Sequence, residues 1–307
     1  MMDSKANLSV GIAALLLSAM CWGGLFIAGK AILPSLDPFY INALRYIPAA
    51  LFFVLVLFFC EGHTAFKTDK KGLLIALGAL GFVGSSFLSM VGLKYTQPED
   101  AAIIVATQPL LATLLNWGWK GIRPHSFTLS CIVVSFLGIL LVVTNGELNE
   151  LFSNENMFGN AIVFFSSMCW IIYTFGMSNF PTWSPLRYSA MTCLFSLTTI
   201  IPLTFLGVYF GFTHIPEWQV INEIRFPLLY LVFCGTIATI LLWNIGTKKL
   251  GPVNGTLFIN FVPITTLSIT VMFNHDLEMI KLAGVVLVLL ALTSNNLFLR
   301  RLPARAG

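Results

Sequence analysis

Gly11 to Trp22 reads GIAALLLSAMCW, and Gly159 to Trp170 reads GNAIVFFSSMCW. Gly11 returns as Gly159, Ala13 as Ala161 and Ser18 as Ser166, and the triplet Met20-Cys21-Trp22 returns as Met168-Cys169-Trp170. All share an offset of 148 residues in a chain of 307. An apolar helix repeated half a chain later points to an internal duplication. A second echo supports it. Leu93–Leu110 (LKYTQPEDAAIIVATQPL) matches Thr247–Ile264 (TKKLGPVNGTLFINFVPI) through Lys94/Lys248, Pro98/Pro252 and Pro109/Pro263, at an offset of 154. Loops of unequal length explain the different offsets. The expected units are 1–148 and 149–307.

Composition sets the class. The chain is 57% hydrophobic and 10% charged, with a mean hydropathy of +0.86, whereas a soluble domain carries about 25% charged residues. This composition cannot make a water-soluble surface, so the chain reads as a polytopic membrane protein. The net charge of +4 sits in short clusters between apolar runs, which gives no nucleic-acid face. All six cysteines (Cys21, Cys60, Cys131, Cys169, Cys193, Cys234) fall in or beside apolar runs without a CxxC, the placement of packing residues rather than of disulfides or a metal site. The first apolar run, Leu8–Leu33, is too long for a signal h-region and is read as the first span.

A spanning helix needs about 20 mostly apolar residues. Ten segments qualify: 9–32, 38–60, 72–94, 99–119, 126–144, 158–179, 185–210, 227–248, 253–273 and 279–299. With the N-terminus inside, the inner segments hold Lys5, Lys67, Lys70, Lys71, Lys120, Arg123, Lys248, Lys249, Arg300, Arg301 and Arg305; the outer ends hold Lys30, Lys94, Arg225 and Lys281. The loop Asn145–Met157 has three acids and no base, as suits an outer loop. This bias predicts cytoplasmic termini. Five spans per repeat is odd, so the second repeat enters the membrane from the opposite side. Inverted repeats are a recurring plan of secondary transporters, with the substrate between the repeats near the midplane.

Three stretches carry a family resemblance: WGGLFIAGK at the end of the first helix, the start of the second from Pro38 to Arg45, and LKYTQPEDAAIIVATQPL between the third and fourth. Together they resemble the EamA family of the drug/metabolite transporter superfamily over nearly the whole chain. The resemblance implies an all-α, 5+5 inverted-repeat membrane fold and a central cavity lined by spans 1, 3, 4, 6, 8 and 9. It also implies transport of small metabolites, often export of amino acids, in the bacterial inner membrane. It leaves the substrate open. No cofactor and no metal are expected, and the expected partners are a small-molecule substrate and the bilayer, for a monomer or loose dimer.

Trp22 and Trp170 occupy matching mid-span positions and are read as an aromatic wall at the junction of the repeats. Tyr173 follows Trp170 by one turn, on roughly the same face, while its first-half counterpart is Leu25. Gln108 and Asn260 stand near Pro109 and Pro263, where a buried amide bonds either a freed carbonyl or the substrate. Trp243 and Ser89 complete the substrate-binding set by their place on cavity-facing spans. Asn116 and Trp117 are placed at the cytoplasmic mouth. Arg45, about two turns into span 2, reads as a structural residue because the family keeps span 2 from the cavity centre. With no charge at the centre, affinity is expected to be modest.

The thirteen acids and four histidines lie in loops or at span ends. Proton-coupled carriers place such groups in the path, so facilitated diffusion or exchange is favoured. An integral membrane enzyme would need a cluster of carboxylates, histidines or a metal, and none is found. A multidrug exporter remains the nearer alternative and would want a central acid for cationic drugs.

Overall fold

The computed structural model describes residues 2–121, 123–144, 155–273 and 279–301. The loop expected outside, 145–157, lies mostly beyond these, as do His275, Asp276, Glu278 and Arg305. The long helices among the described residues are α1 Met2–Ile32, α2 Pro38–Glu61, α3 Lys71–Tyr95, α4 Pro98–Ala106 with Gln108–Lys120, α5 Ser126–Thr144, α6 Glu155–Gly176, α7 Pro185–Tyr209, α8 Arg225–Leu250, α9 Pro252–Met272 and α10 Met279–Arg301, with a short helix Trp218–Glu223 ahead of α8. There is no strand among the described residues. Seven helices are long and apolar enough to cross a membrane, or up to eight if bent α4 counts as one span. The expectation of ten spans is met short of its full number: among the described residues α5 and α10 count as shorter apolar helices, Ser126–Gly138 and Leu282–Asn295.

Local chemistry sets the boundaries. Both α2 and α7 open with proline at the first helical position, where its missing N–H costs nothing. Asp37 caps α2 by accepting from Phe39 N, and Ser184 caps α7 by accepting from Arg187 N. Pro109 cannot donate to the turn behind it. There α4 breaks at Thr107 and bends by 41°. Near the matching Pro263, α9 tightens into a 3-10 turn over Leu257–Asn260.

The packing echoes the sequence repeat. α1 lies along the second half of α8, and α6 lies along α3 in the same way. Small residues make both contacts close: a Cβ on Gly92 would stand 2.7 Å from Gly159 O, and one on the matching Gly246 would stand 3.0 Å from Gly11 O. The matching helices α2 and α7 run antiparallel. Thr204 of α7 donates to Phe39 O near the start of α2, while Ser184 at the start of α7 donates to Glu61 at the end of α2. α4 and α9 are antiparallel too, with Thr270 Oγ1 donating to Glu99 Oε1 at 2.6 Å. α3 and α8 each contain π-helical turns at matching places, Ala79–Phe87 and Phe233–Ala238. In α8 the hydroxyls of Thr236 and Thr239 bond the carbonyls five residues back, Leu231 O and Cys234 O.

Large apolar side chains cover the outside: Phe59 is 80% exposed and Phe205 67%, a surface that suits lipid. Apart from Arg45, the charged residues whose contacts are described gather at the two ends. Lys70 donates to Asn179 O, Arg187 to Lys67 O and Lys248 to Trp183 O, which gathers these bases at one end. Lys30, Asp37, Lys94 and Glu99 stand at the other. All six cysteines are free thiols.

Candidate functional site

The helices α1, α2, α3, α4, α6 and α8 meet around a cavity of about 60 Å³, room for only a few waters. Trp22, Arg45, Ser89, Gln108, Trp170 and Gly235 are among its lining residues. Four of the seven residues singled out in the sequence therefore face one space: Trp22, Trp170, Gln108 and Ser89. The other three, Tyr173, Trp243 and Asn260, are not in the lining.

The two repeated tryptophans touch. Their ring centroids are 5.0 Å apart at 88°, an edge-to-face contact of the kind worth about 0.5–1.5 kcal/mol beyond its area. Trp243 completes the cluster, 5.0 Å from Trp22 and 6.1 Å from Trp170. It is fully buried, and its Nε1 donates to Thr174 Oγ1 at 3.1 Å. Trp243 thus backs the wall instead of facing the cavity. Tyr173 packs against Trp170 at 4.8 Å and turns its hydroxyl toward α7 and α8. There Asn244 Nδ2 donates to it at 3.0 Å and to Ser189 Oγ at 2.9 Å, and Thr192 Oγ1 stands 3.4 Å away. A separation of three residues rotates a side chain about 60° around the helix, which is enough to carry Tyr173 out of the cavity. Asn260 lies on the 3-10 turn of α9 with its Oδ1 buried and unpartnered.

Arg45 corrects the sequence reading of span 2. Its side chain is 2% exposed and lines the cavity, so the centre does hold a charge. Nε donates to Thr236 Oγ1 at 3.0 Å, Nη2 to Gly235 O at 3.2 Å and Nη1 to Ser86 Oγ at 2.9 Å. The guanidinium therefore bridges the π-helical turns of α3 and α8. Insertion scales put the cost of an arginine at a helix centre in a bilayer at about 2.5–3.5 kcal/mol, and three bonds to neutral oxygens offset part of it. Periodicity could not find this arrangement. The available signal was the charge itself, placed too deep to reach the interface.

The two ends of the bundle differ. On the side of the cavity toward Lys30 and Glu99, hydrogen bonds hold α1 to its neighbours: Tyr230 Oη donates to Cys21 O at 2.9 Å, and Thr266 Oγ1 to Gly23 O at 3.0 Å. A Cβ on Gly24 would stand 2.1 Å from Tyr230 Oη. Ile171 and Ile172 match Gly23 and Gly24 in the second repeat, and they line an open cleft of about 760 Å³ at the basic end, with Leu80, Asn116 and Phe175. Trp117 is not in that lining. Leu80 and Ile171 of the cleft neighbour Gly81 and Trp170 of the cavity. No cluster of histidine, cysteine or acid able to hold a metal exists among the described residues.

The EamA-like transporter family matches residues 9–144 and 157–297 of this chain. The chain belongs to the EamA-like transporter family. Among similar proteins, the uncharacterized transporter YrdR of Bacillus subtilis is 32% identical over 97% of this chain and 94% of its own length. An uncharacterized transporter of Archaeoglobus fulgidus is 26% identical over 86% and 88%. A solved crystal structure superimposes with a TM-score of 0.68 at 18% identity, covering 97% of this chain and 99% of its own; that likeness concerns the fold. Family and relatives make this EamA-like protein a membrane transporter by descent, in line with the sequence reading against an enzyme.

Proposed function

We propose that this EamA-like protein is a secondary transporter that moves small metabolites, amino acids or related compounds, by alternating access. In this reading ten spans form a 5+5 inverted repeat, residues 1–148 and 149–307, with both termini in the cytoplasm of a bacterial cell. The antiparallel packing of matching helices and a family match in each half support the repeat. The bases gathered at one end support the orientation.

One observation carries the mechanism: a small cavity sits next to a wide cleft at the basic end, while on its other side α1 is held closely to α8 and α9. That is the form of a carrier loaded from one side. The close packing of α1 offers the pattern for the second state, in which α6 closes on α4 as α1 closes on α9. Bulky Ile171 and Ile172, in place of two glycines, make the two closures unequal. The cavity lining holds no carboxylate or histidine, which supports facilitated diffusion or export down a gradient over proton coupling. An arginine in the cavity weighs against the alternative, an exporter of cationic drugs.

The test is uptake by the purified protein in liposomes across a panel of amino acids and their derivatives, with and without a pH gradient. Saturable uptake of at least one compound supports the reading. Uptake of none, or flux that never saturates as in a channel, overturns it.

A further inference from the structure

The cavity contains a cation and no anion. Among the described residues no carboxylate lies within ion-pair distance of Arg45, and its three bonded partners are two hydroxyls and a carbonyl. A guanidinium has five N–H donors, so one remains on each terminal nitrogen. A permanent charge at this depth without a counter-ion is a functional group by default.

Two further buried groups point the same way. Trp170 Nε1 and Gln108 Oε1 have no hydrogen-bond partner, although their side chains are only 5% and 3% exposed and both line the cavity. A buried polar atom is seldom left unmade. The space thus presents unused donors at Arg45 and Trp170 and an unused acceptor at Gln108.

Repeat symmetry shows that this is a special feature of one half. α2 and α7 both open with proline, and that register aligns Arg45 with Thr192. Thr192 belongs to the neutral network of Tyr173, Asn244 and Ser189. A clamp needed only to hold helices together would serve both halves alike; here one half carries a charge facing the cavity and the other closes on itself.

We propose that Arg45 is the carboxylate-binding residue of this protein. The substrate carries a free carboxylate, received by the guanidinium between the two π-helical turns and by Trp170 Nε1. Gln108 Oε1 accepts from an ammonium or other donor on the same small molecule. Bonds between ions are roughly twice as strong as neutral ones, and a purely cationic compound meets a like charge. The inference rests on the transporter reading and narrows its substrate class.

Binding is read apart from transport, on the purified full chain in detergent, by thermal unfolding midpoint and tryptophan fluorescence. The probes are matched sets: leucine, leucinamide, 3-methylbutylamine and 4-methylpentanoate, with the same four forms built on phenylalanine and on alanine. Compounds with a free carboxylate should raise the midpoint, while amines and amides do nothing even at about tenfold higher concentration. Arg45→Lys keeps the charge and loses the planar fork, so its apparent Kd should weaken about tenfold. Arg45→Gln should bind none of them. If that variant does not fold, the matched sets on the parental protein decide alone. Amines or amides binding as well as the acids would overturn the proposal. So would silence from every carboxylate, a folded Arg45→Gln with parental affinity, or preference for an alkyl phosphate. Arg45-dependent carboxylate binding without uptake into liposomes would refute the transport reading and leave this one standing.

Discussion

Gly81 is seated against the ring of Tyr173: a Cβ added to Gly81 would lie 2.7 Å from Tyr173 Cδ2. The matching pair in the other half is Gly235 against Leu25, where the added Cβ would lie 3.1 Å from Leu25 Cδ1. Each glycine sits in a π-helical turn and receives the side chain three residues past a repeated tryptophan. The backbone plan is kept and its occupant differs. An aryl ring packed against three aromatic neighbours has less room to yield than a leucine methyl.

Gly81→Ala should therefore destabilise the protein by about 1–3 kcal/mol, the usual cost of overpacking, and Gly235→Ala by less. Thermal unfolding of the two purified variants measures the difference. Equal midpoints, or no loss at Gly81→Ala, would show that Tyr173 moves aside freely.

The tryptophan wall gives a second expectation. Trp170→Ala should lower transport several-fold while the protein still folds and inserts, since Trp170 lines the cavity and contributes its Nε1–H there. Trp117→Ala should do less, because Trp117 is outside the cavity and cleft linings. Initial uptake rates normalised to inserted protein provide the measurement. Parental rates for both Trp170→Ala and Trp22→Ala would reduce the wall to packing.

Orientation can be read chemically. In a variant lacking the six cysteines, Asp69→Cys and Phe212→Cys lie in exposed loops at opposite ends of the bundle. A membrane-impermeant maleimide added to intact cells should label position 212 and reach position 69 only after permeabilisation. The reverse pattern would invert the topology.

Energy coupling is the fourth expectation. Uptake should follow the substrate gradient and persist when the pH gradient is collapsed, because the cavity offers no carboxylate or histidine to carry the proton. Uptake abolished by that collapse at constant substrate gradient would refute it. Loss of the pH dependence in Glu99→Gln or Asp100→Asn would then place coupling at the end holding Lys30 and Glu99, where Asp100 is buried.

The sequence alone determined the class and the family, and it carries the internal echo of Gly11–Trp22 in Gly159–Trp170. A bilayer leaves little choice: each span must be a long apolar helix, and a duplicated helix keeps the small residues that let its partner approach, as at Gly11 and Gly159. The echo of one helix in the other also paired Trp22 with Trp170, and the two rings touch. Only the tertiary structure decided what lies behind the wall and what stands in the cavity. Helical spacing says which residues share a face, but not which neighbour that face meets, so Tyr173 and Trp243 could not be told from lining residues. The π-helical turns of α3 and α8 left no mark in hydropathy, because they shift backbone bonds without changing residue type. Arg45 finds its place only through them: its three acceptors come from segments about 40 and 190 residues away in the chain, and no local pattern encodes a contact of that range.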